Sequence, residues 1–312
     1  MANVLPSREL GTTLHSPRTA REIVVNAGIN EEISKIHLYR GDGSQVDGFM
    51  GLTYGDHLTG IVGNRYEVMQ TDEAIEAALG RFIKSGQLIP QEAGILGHGK
   101  KVWLASKLDI PLLEVTPGDQ SEARILSLFD NTGKGAWLHV LSCRRIACEN
   151  SFNIVVTKRD ELIPAVRMVH KGNPLKKARI DGQIFCQAAE AFKSWGKDAR
   201  HLANTPVTDA QKTDYLNILF PSAKDTKRDS ARVTRESINR LSIYGQGQNN
   251  PAVRGTYWAL FNGVTEHLDH RKTYRNTAKA TRADNRFQSV MLGDAAKKKQ
   301  QAFSLALEMA TV

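Results

Sequence analysis

The chain has 312 residues, 41% hydrophobic and 24% charged, which excludes a disordered segment and is long enough for one large domain or two ordinary ones. Its 42 Lys and Arg against 33 Asp and Glu leave a formal charge of +9, a balance that favours polyanion partners because each neutralised phosphate releases counterions. Three cysteines exclude a disulfide scaffold and suit a reducing cytoplasm, no apolar run approaches a membrane span, and no secretory leader is expected after Met1-Ala2-Asn3-Val4-Leu5-Pro6.

The first predicted element is a short helix from Thr19 to Ala27, with Ser16-Pro17-Arg18-Thr19 as its capping stretch. The period then changes to two. Lys35–Arg40, Phe49–Tyr54 and Leu58–Val62 read as strands, punctuated by Gly41-Asp42-Gly43 and Gly55-Asp56-His57. Thr71 is the expected cap of an amphipathic helix carrying Ile75, Leu79, Phe82 and Ile83 on one face and ending at Gly86. Two hairpins follow. Ile89–Leu96 meets Lys101–Leu108 across Gly97-His98-Gly99, and Arg124–Phe129 meets Ala136–Leu141 across Asp130–Gly135. Phe152–Thr157 and Ala165–His170 are further strand candidates.

Beyond Asn173-Pro174 the pattern turns helical, with expected helices at Leu175–Trp195, Thr208–Phe220, Ser230–Leu241, Pro251–Tyr274 and Arg286–Met309. The expected class is α+β. A mixed β-sheet with hairpins and a packed helix fills the N-terminal half, and the C-terminal half is mostly helical. The division falls near residue 172, giving a 1–172 module and a 173–312 helical region, with one continuous domain as the alternative because no long linker separates them.

Gly94–Lys101 comes within one position of a phosphate-binding loop, but Lys101 stands where the metal-binding hydroxyl belongs and Val102–Ala105 reads as a strand, so a hairpin is expected. Cys143 and Cys148 lack the second pair that structural zinc needs and are expected as buried thiols. Glu266, His267, Asp269 and His270 are the nearest approach to a metal or acid–base cluster. Bonding between helices is their expected role. No catalytic residue, metal site or cofactor is assigned.

Basic residues form three expected contact groups. Lys100 and Lys101 tip the first hairpin. Arg144, Arg145, Lys158, Arg159, Lys176, Lys177 and Arg179 cluster around strand ends and the joint between the halves. Arg271, Lys272 and Arg275 open a tail group that few local acids oppose. Such groups beside aromatic side chains are what single-stranded nucleic acid uses, phosphates on Lys and Arg and bases on rings.

Several phrases carry a family resemblance: Leu10-Gly11-Thr12, Val62–Tyr66, Gly99–Leu104, Arg144–Phe152, Thr205–Thr208, Phe220-Pro221-Ser222, Trp258–His270 and Ser289–Gly293. Together they resemble a family typical of phages, prophages and plasmids and known as a domain of unknown function. Ser151 stands where that family more often has Thr, and His267 where it more often has an aromatic residue. The resemblance implies a mobile-element protein and transfers no site residues. By analogy with single-strand annealing proteins, it implies a homo-oligomer that binds and anneals single-stranded DNA without a cofactor. The alternatives are an oligomeric interaction or host-modulating protein, and a metal-dependent hydrolase of nucleic acid built on Glu266, Asp269 and His270.

Overall fold

The computed structural model describes residues 9–154, 168–169, 183–222 and 230–311. It is α+β, with antiparallel sheets in the N-terminal half and a mostly helical C-terminal half. The elements in chain order are β1 (Gly11–Thr13), α1 (Ala20–Ala27), β2 (Ile33–Tyr39), β3 (Gln45–Tyr54), β4 (His57–Gly63), α2 (Thr71–Lys84), β5 (Leu88–Leu96), β6 (Lys101–Leu108), β7 (Leu113–Glu114), β8 (Gln120–Asp130), β9 (Ala136–Arg145), β10 (Ser151–Asn153) and β11 (Met168–Val169). The helical half contains α3 (Gln183–Asn204), α4 (Asp209–Leu219), α5 (Ser230–Tyr244), α6 (Tyr257–Glu266), α7 (Arg282–Met291) and α8 (Asp294–Ala310).

The large sheet runs β1-β5-β6-β8-β9-β10, with β7 added to β8 and β11 to β9. The expected hairpins form its centre: Leu96 faces Lys101 across the β5–β6 turn, and Leu128 faces Leu138 near the β8–β9 turn. Gly11 in β1 pairs with Gly94, because the Trp103 ring and the Ala93 carbonyl occupy the space that a Cβ at Gly11 would need. A second sheet, β2-β3-β4, buries Leu52, Tyr54 and Val62, whereas Ile36, Phe49, Leu58 and Ile61 stay exposed.

Local chemistry explains several boundaries. Thr19 caps α1 by accepting from the Glu22 amide, as expected. The cap of α2 is Gln70 rather than Thr71. Gln70 and Glu73 form a reciprocal capping box, and Thr71 is the first helical residue. The expected 251–274 helix is broken: residues 251–253 make a 3-10 turn, Gly255 takes φ 70°, and α6 starts only at Tyr257 under a Thr256 cap. After Glu266 the helix widens into a π turn, His267–Arg271. The expected 286–309 helix is two helices, because Leu292 and Gly293 leave helical geometry before Asp294 restarts it. Helix α3 extends to Asn204, beyond the expected end at Trp195. The N-terminal part of that expected helix and the outer residues of the last two strand candidates lie outside the described residues.

The sheet meets the helices at an aromatic cluster. Phe152 of β10 lies 5.4 Å from Phe261, 5.1 Å from Phe303 and 6.3 Å from Trp195, centroid to centroid, and Trp195 is 5.9 Å from Trp258. Burying each such ring stabilises the fold by ~1.5–3 kcal/mol, with ~0.5–1.5 kcal/mol more where ring pairs meet edge to face. No helix among the described residues is long and apolar enough to cross a membrane.

Candidate functional site

Three of the family phrases, Arg144–Phe152, Trp258–His270 and Ser289–Gly293, meet at the joint between sheet and helices. The β9–β10 turn delivers Arg145, Asn150 and Ser151 to it. Arg145 is 3% exposed and makes a two-point ion pair with Asp119, at 2.5 and 2.9 Å, while its Nη2 also donates to the Gly247 carbonyl at 2.8 Å. The Trp258 indole donates to the same Asp119 carboxylate at 2.8 Å. Asn150 Nδ2 donates to Thr265 Oγ1 at 2.8 Å. The Ser151 amide donates to Asp269 Oδ2 at 2.7 Å, and Lys299 Nζ donates to Asp269 Oδ1 and to the Ser151 carbonyl, both at 2.7 Å. Asp269 and Lys299 are 0% and 1% exposed, so this ion pair is sealed from solvent. Arg286 Nη2 adds a 2.7 Å bond to the Asp269 carbonyl.

A second charged group lies on one face of β5, β8 and β9. Register places Arg144 opposite Glu122, with Nη2 2.8 Å from Glu122 Oε1, and Arg144 also approaches Glu149 at 3.7 Å. Arg124 lies 3.3 Å from Glu92 and 3.7 Å from Glu122. Burial pulls the Arg124 guanidinium pKa down, opposed by Glu92 and Glu122 and reinforced by Arg144. Arg144 and Arg145 therefore direct their charge into the fold. Both were expected as nucleic-acid contacts; the structure places them against the carboxylates that β8, Glu149 and the β7–β8 turn bring to them.

The polar residues of α6 separate rather than converge. Glu266 pairs with Arg271 at 3.3 Å and accepts from the Gln246 amide, whereas Asp269 engages Lys299. Burial lowers the His267 pKa to about 4 and also lowers that of His270, where Asp269 opposes the shift. Among the described residues no three His, Cys, Asp or Glu side chains are grouped to hold a metal ion. Cys143 and Cys148 are buried free thiols. Burial pushes the Cys148 thiol up to about 11, against the pull of Arg145, and raises Cys143 as well, so neither is a ready nucleophile. The near-phosphate-loop phrase is the β5–β6 hairpin, with strand and not helix after it.

The remaining described basic residues of these groups lie at the surface. The hairpin tip is tied to the head of α7 by a 3.1 Å bond from the Gly97 amide to Asp284 Oδ1, and Asp284 Oδ2 in turn accepts from the α7 cap, Thr281. Just beyond that tip Lys100 is exposed and Lys101 half-buried. The chain between the π turn and α7 carries exposed Lys272, Arg275 and Lys279, with exposed Arg271 ending the π turn and exposed Arg282 opening α7. Arg271 is held by Glu266 and Arg282 by Glu9, at 3.3 and 2.9 Å. Lys272 packs over the Tyr274 ring at 5.4 Å. Lys100, Lys101, Lys272, Arg275 and Lys279 have no carboxylate partner within ion-pair distance among the described residues. Lys158, Arg159, Lys176, Lys177 and Arg179 lie outside the described residues. Sequence reasoning overlooked Arg240 and Tyr244 on α5. Their signal is an unpaired aromatic at the end of an amphipathic helix, just before Gly245.

Fold and site together define a basic α+β protein in which two buried ion pairs, one in the sheet half and one in the helical half, are cross-linked by hydrogen bonds, and whose 272–279 loop carries exposed cations without carboxylate partners among the described residues. The chain belongs to the family described as Domain of unknown function (DUF932), whose pattern matches residues 58–291. No curated protein and no solved structure matches it.

Proposed function

We propose that this is a nucleic-acid-binding protein of a phage or plasmid, which holds single-stranded DNA on the surface formed by the β5–β6 hairpin and the 271–282 loop and promotes annealing during recombination or replication. The observation that supports this reading is the run of exposed cations Lys272, Arg275 and Lys279, without carboxylate partners among the described residues, leading into α7, whose first turn the Gly97–Asp284 bond ties to the tip of the β5–β6 hairpin. Lysines and arginines without acidic partners are free to exchange small counterions for phosphates, and that exchange supplies most sequence-independent affinity. Annealing makes and breaks no covalent bond. It requires backbones to be held while bases remain able to pair, and the reading accordingly calls for no cofactor.

The test is the variant with Lys272, Arg275 and Lys279 all changed to Ala. Affinity for an oligonucleotide falls, and the slope of log K against log salt becomes shallower by about one for each phosphate that the variant no longer binds. Equal slopes for variant and parent would remove this loop from the interface.

A second reading, an oligomeric interaction protein, is favoured by the outer face of the β2-β3-β4 sheet, where Phe49 and Leu58 are 55% and 50% exposed. Contiguous apolar surface of this kind marks contact with another protein or another subunit. The two readings are compatible, since a DNA-binding homo-oligomer would use both surfaces.

A further inference from the structure

A groove of about 500 Å³ runs along α5 to the π turn, separate from the buried ion pairs. Its wall is one stripe of α5, with Ser237, Arg240, Leu241 and Tyr244 at the i, i+3, i+4, i+7 spacing that shares a helix face, and Arg271 closes the far side. Tyr244 is 81% exposed. The ring contributes little to the core, so its face is open to a ligand. The charge around it is selective. Glu236 is satisfied by Arg232 at 2.7 Å on the same helix, and Arg271 keeps 46% of its side chain exposed despite its contact with Glu266. Arg240 has no ion-pair partner among the described residues. The groove is thus lined by one exposed aromatic ring and two guanidiniums.

We propose that this groove is a base-stacking site for single-stranded nucleic acid, with Tyr244 against a base and Arg240 and Arg271 on the flanking phosphates. The proposal rests on the nucleic-acid reading above and deepens it by specifying the strand state. A duplex buries both faces of every interior base, so only an unpaired base presents a face to Tyr244. Guanidiniums suit the phosphates because their planar fork takes two oxygens at once, and they also stack on bases. Arg271 belongs both to this groove and to the start of the basic loop, so a strand leaving the groove passes onto Lys272 and Arg275. A single stacked base anchors the strand and leaves its neighbours free to pair.

The test compares Tyr244→Ala, Tyr244→Trp and the parent for binding to a labelled 20-residue oligothymidylate and to a duplex of equal length. At this exposure, loss of the ring leaves the fold intact, which the melting temperature checks. Tyr244→Ala is expected to bind the single strand roughly 5- to 150-fold more weakly, the equivalent of removing one base–aromatic stack, with duplex affinity unchanged. Tyr244→Trp retains affinity, and its added fluorescence is quenched by the oligonucleotide. If the parent binds the single strand and Tyr244→Ala binds it equally well, the stacking site is overturned while the nucleic-acid reading stands. The groove then belongs to a protein partner. If the parent binds neither strand at low salt, both fall together.

Discussion

Replacing Lys299 by Met keeps an unbranched side chain out to the ε position and removes the ammonium. In the native fold that ammonium touches Asp269 Oδ1 and the Ser151 carbonyl, each at 2.7 Å, at a position 1% exposed. The substitution strands the Asp269 carboxylate, which keeps the Ser151 amide and hydroxyl but has no solvent to replace the missing cation. Breaking a buried pair from one side costs ~3–5 kcal/mol, a large share of the ~5–15 kcal/mol that holds a typical domain together. In urea, with a slope of about 3 kcal/mol per M, the midpoint falls by roughly 1–2 M. Adding Asp269→Asn removes the uncompensated charge, so the double variant should recover at least half of the loss, a coupling that a double-mutant cycle measures directly. Burial also makes the effect insensitive to salt. A cost below about 1 kcal/mol, or no recovery in the double variant, would refute the assignment of this pair as a buried link between the π turn and α8 that also anchors Ser151 of β10.

Arg145→Ala leaves Asp119, 1% exposed, with only the Trp258 indole, and should lower stability by ~3–5 kcal/mol in thermal or urea unfolding. An unchanged melting temperature would contradict its buried role. Acid should destabilise the protein through His139 and His267. Burial is the main cause that holds each near pKa 4, below the ordinary 6.5, so the unfolded chain binds protons that the native state refuses. Stability is then flat above about pH 6.5 and falls by about 1.4 kcal/mol per pH unit per histidine toward pH 4. His139→Gln and His267→Gln should each reduce that slope, and slopes equal to the parent's would show that these histidines titrate normally.

The hairpins were legible because their evidence is local. A short apolar run bounded by polar residues, as in Val102–Ala105, and the Gly97-His98-Gly99 turn survive whatever packs above them. The breaks at Gly255 and Gly293 were not, because apolar residues continue at helical spacing on both sides and one glycine is tolerated within a helix. Arg144 and Arg145 show the deeper limit. As sequence they count as charge at a strand end. Only register sets Arg144 opposite Glu122, and only the β7–β8 turn brings Asp119 to Arg145 across 26 residues. That Lys272 and Arg275 have no carboxylate partner among the described residues follows from the scarcity of neighbouring acids, a signal that sequence does hold. Tyr244 was passed over because a chain with 7% aromatic residues is expected to place them in its core, and exposure is a property of the finished fold.

The most direct test of the central proposal is a titration of the unmodified protein with labelled single-stranded and duplex oligonucleotides of equal length, at about 50 and 200 mM salt. A nucleic-acid surface built on the 271–282 loop and the Tyr244 groove predicts tighter binding to the single strand, with affinity falling at least tenfold between the two salts. No binding to either form at the lower salt, or a duplex preference indifferent to salt, would contradict it.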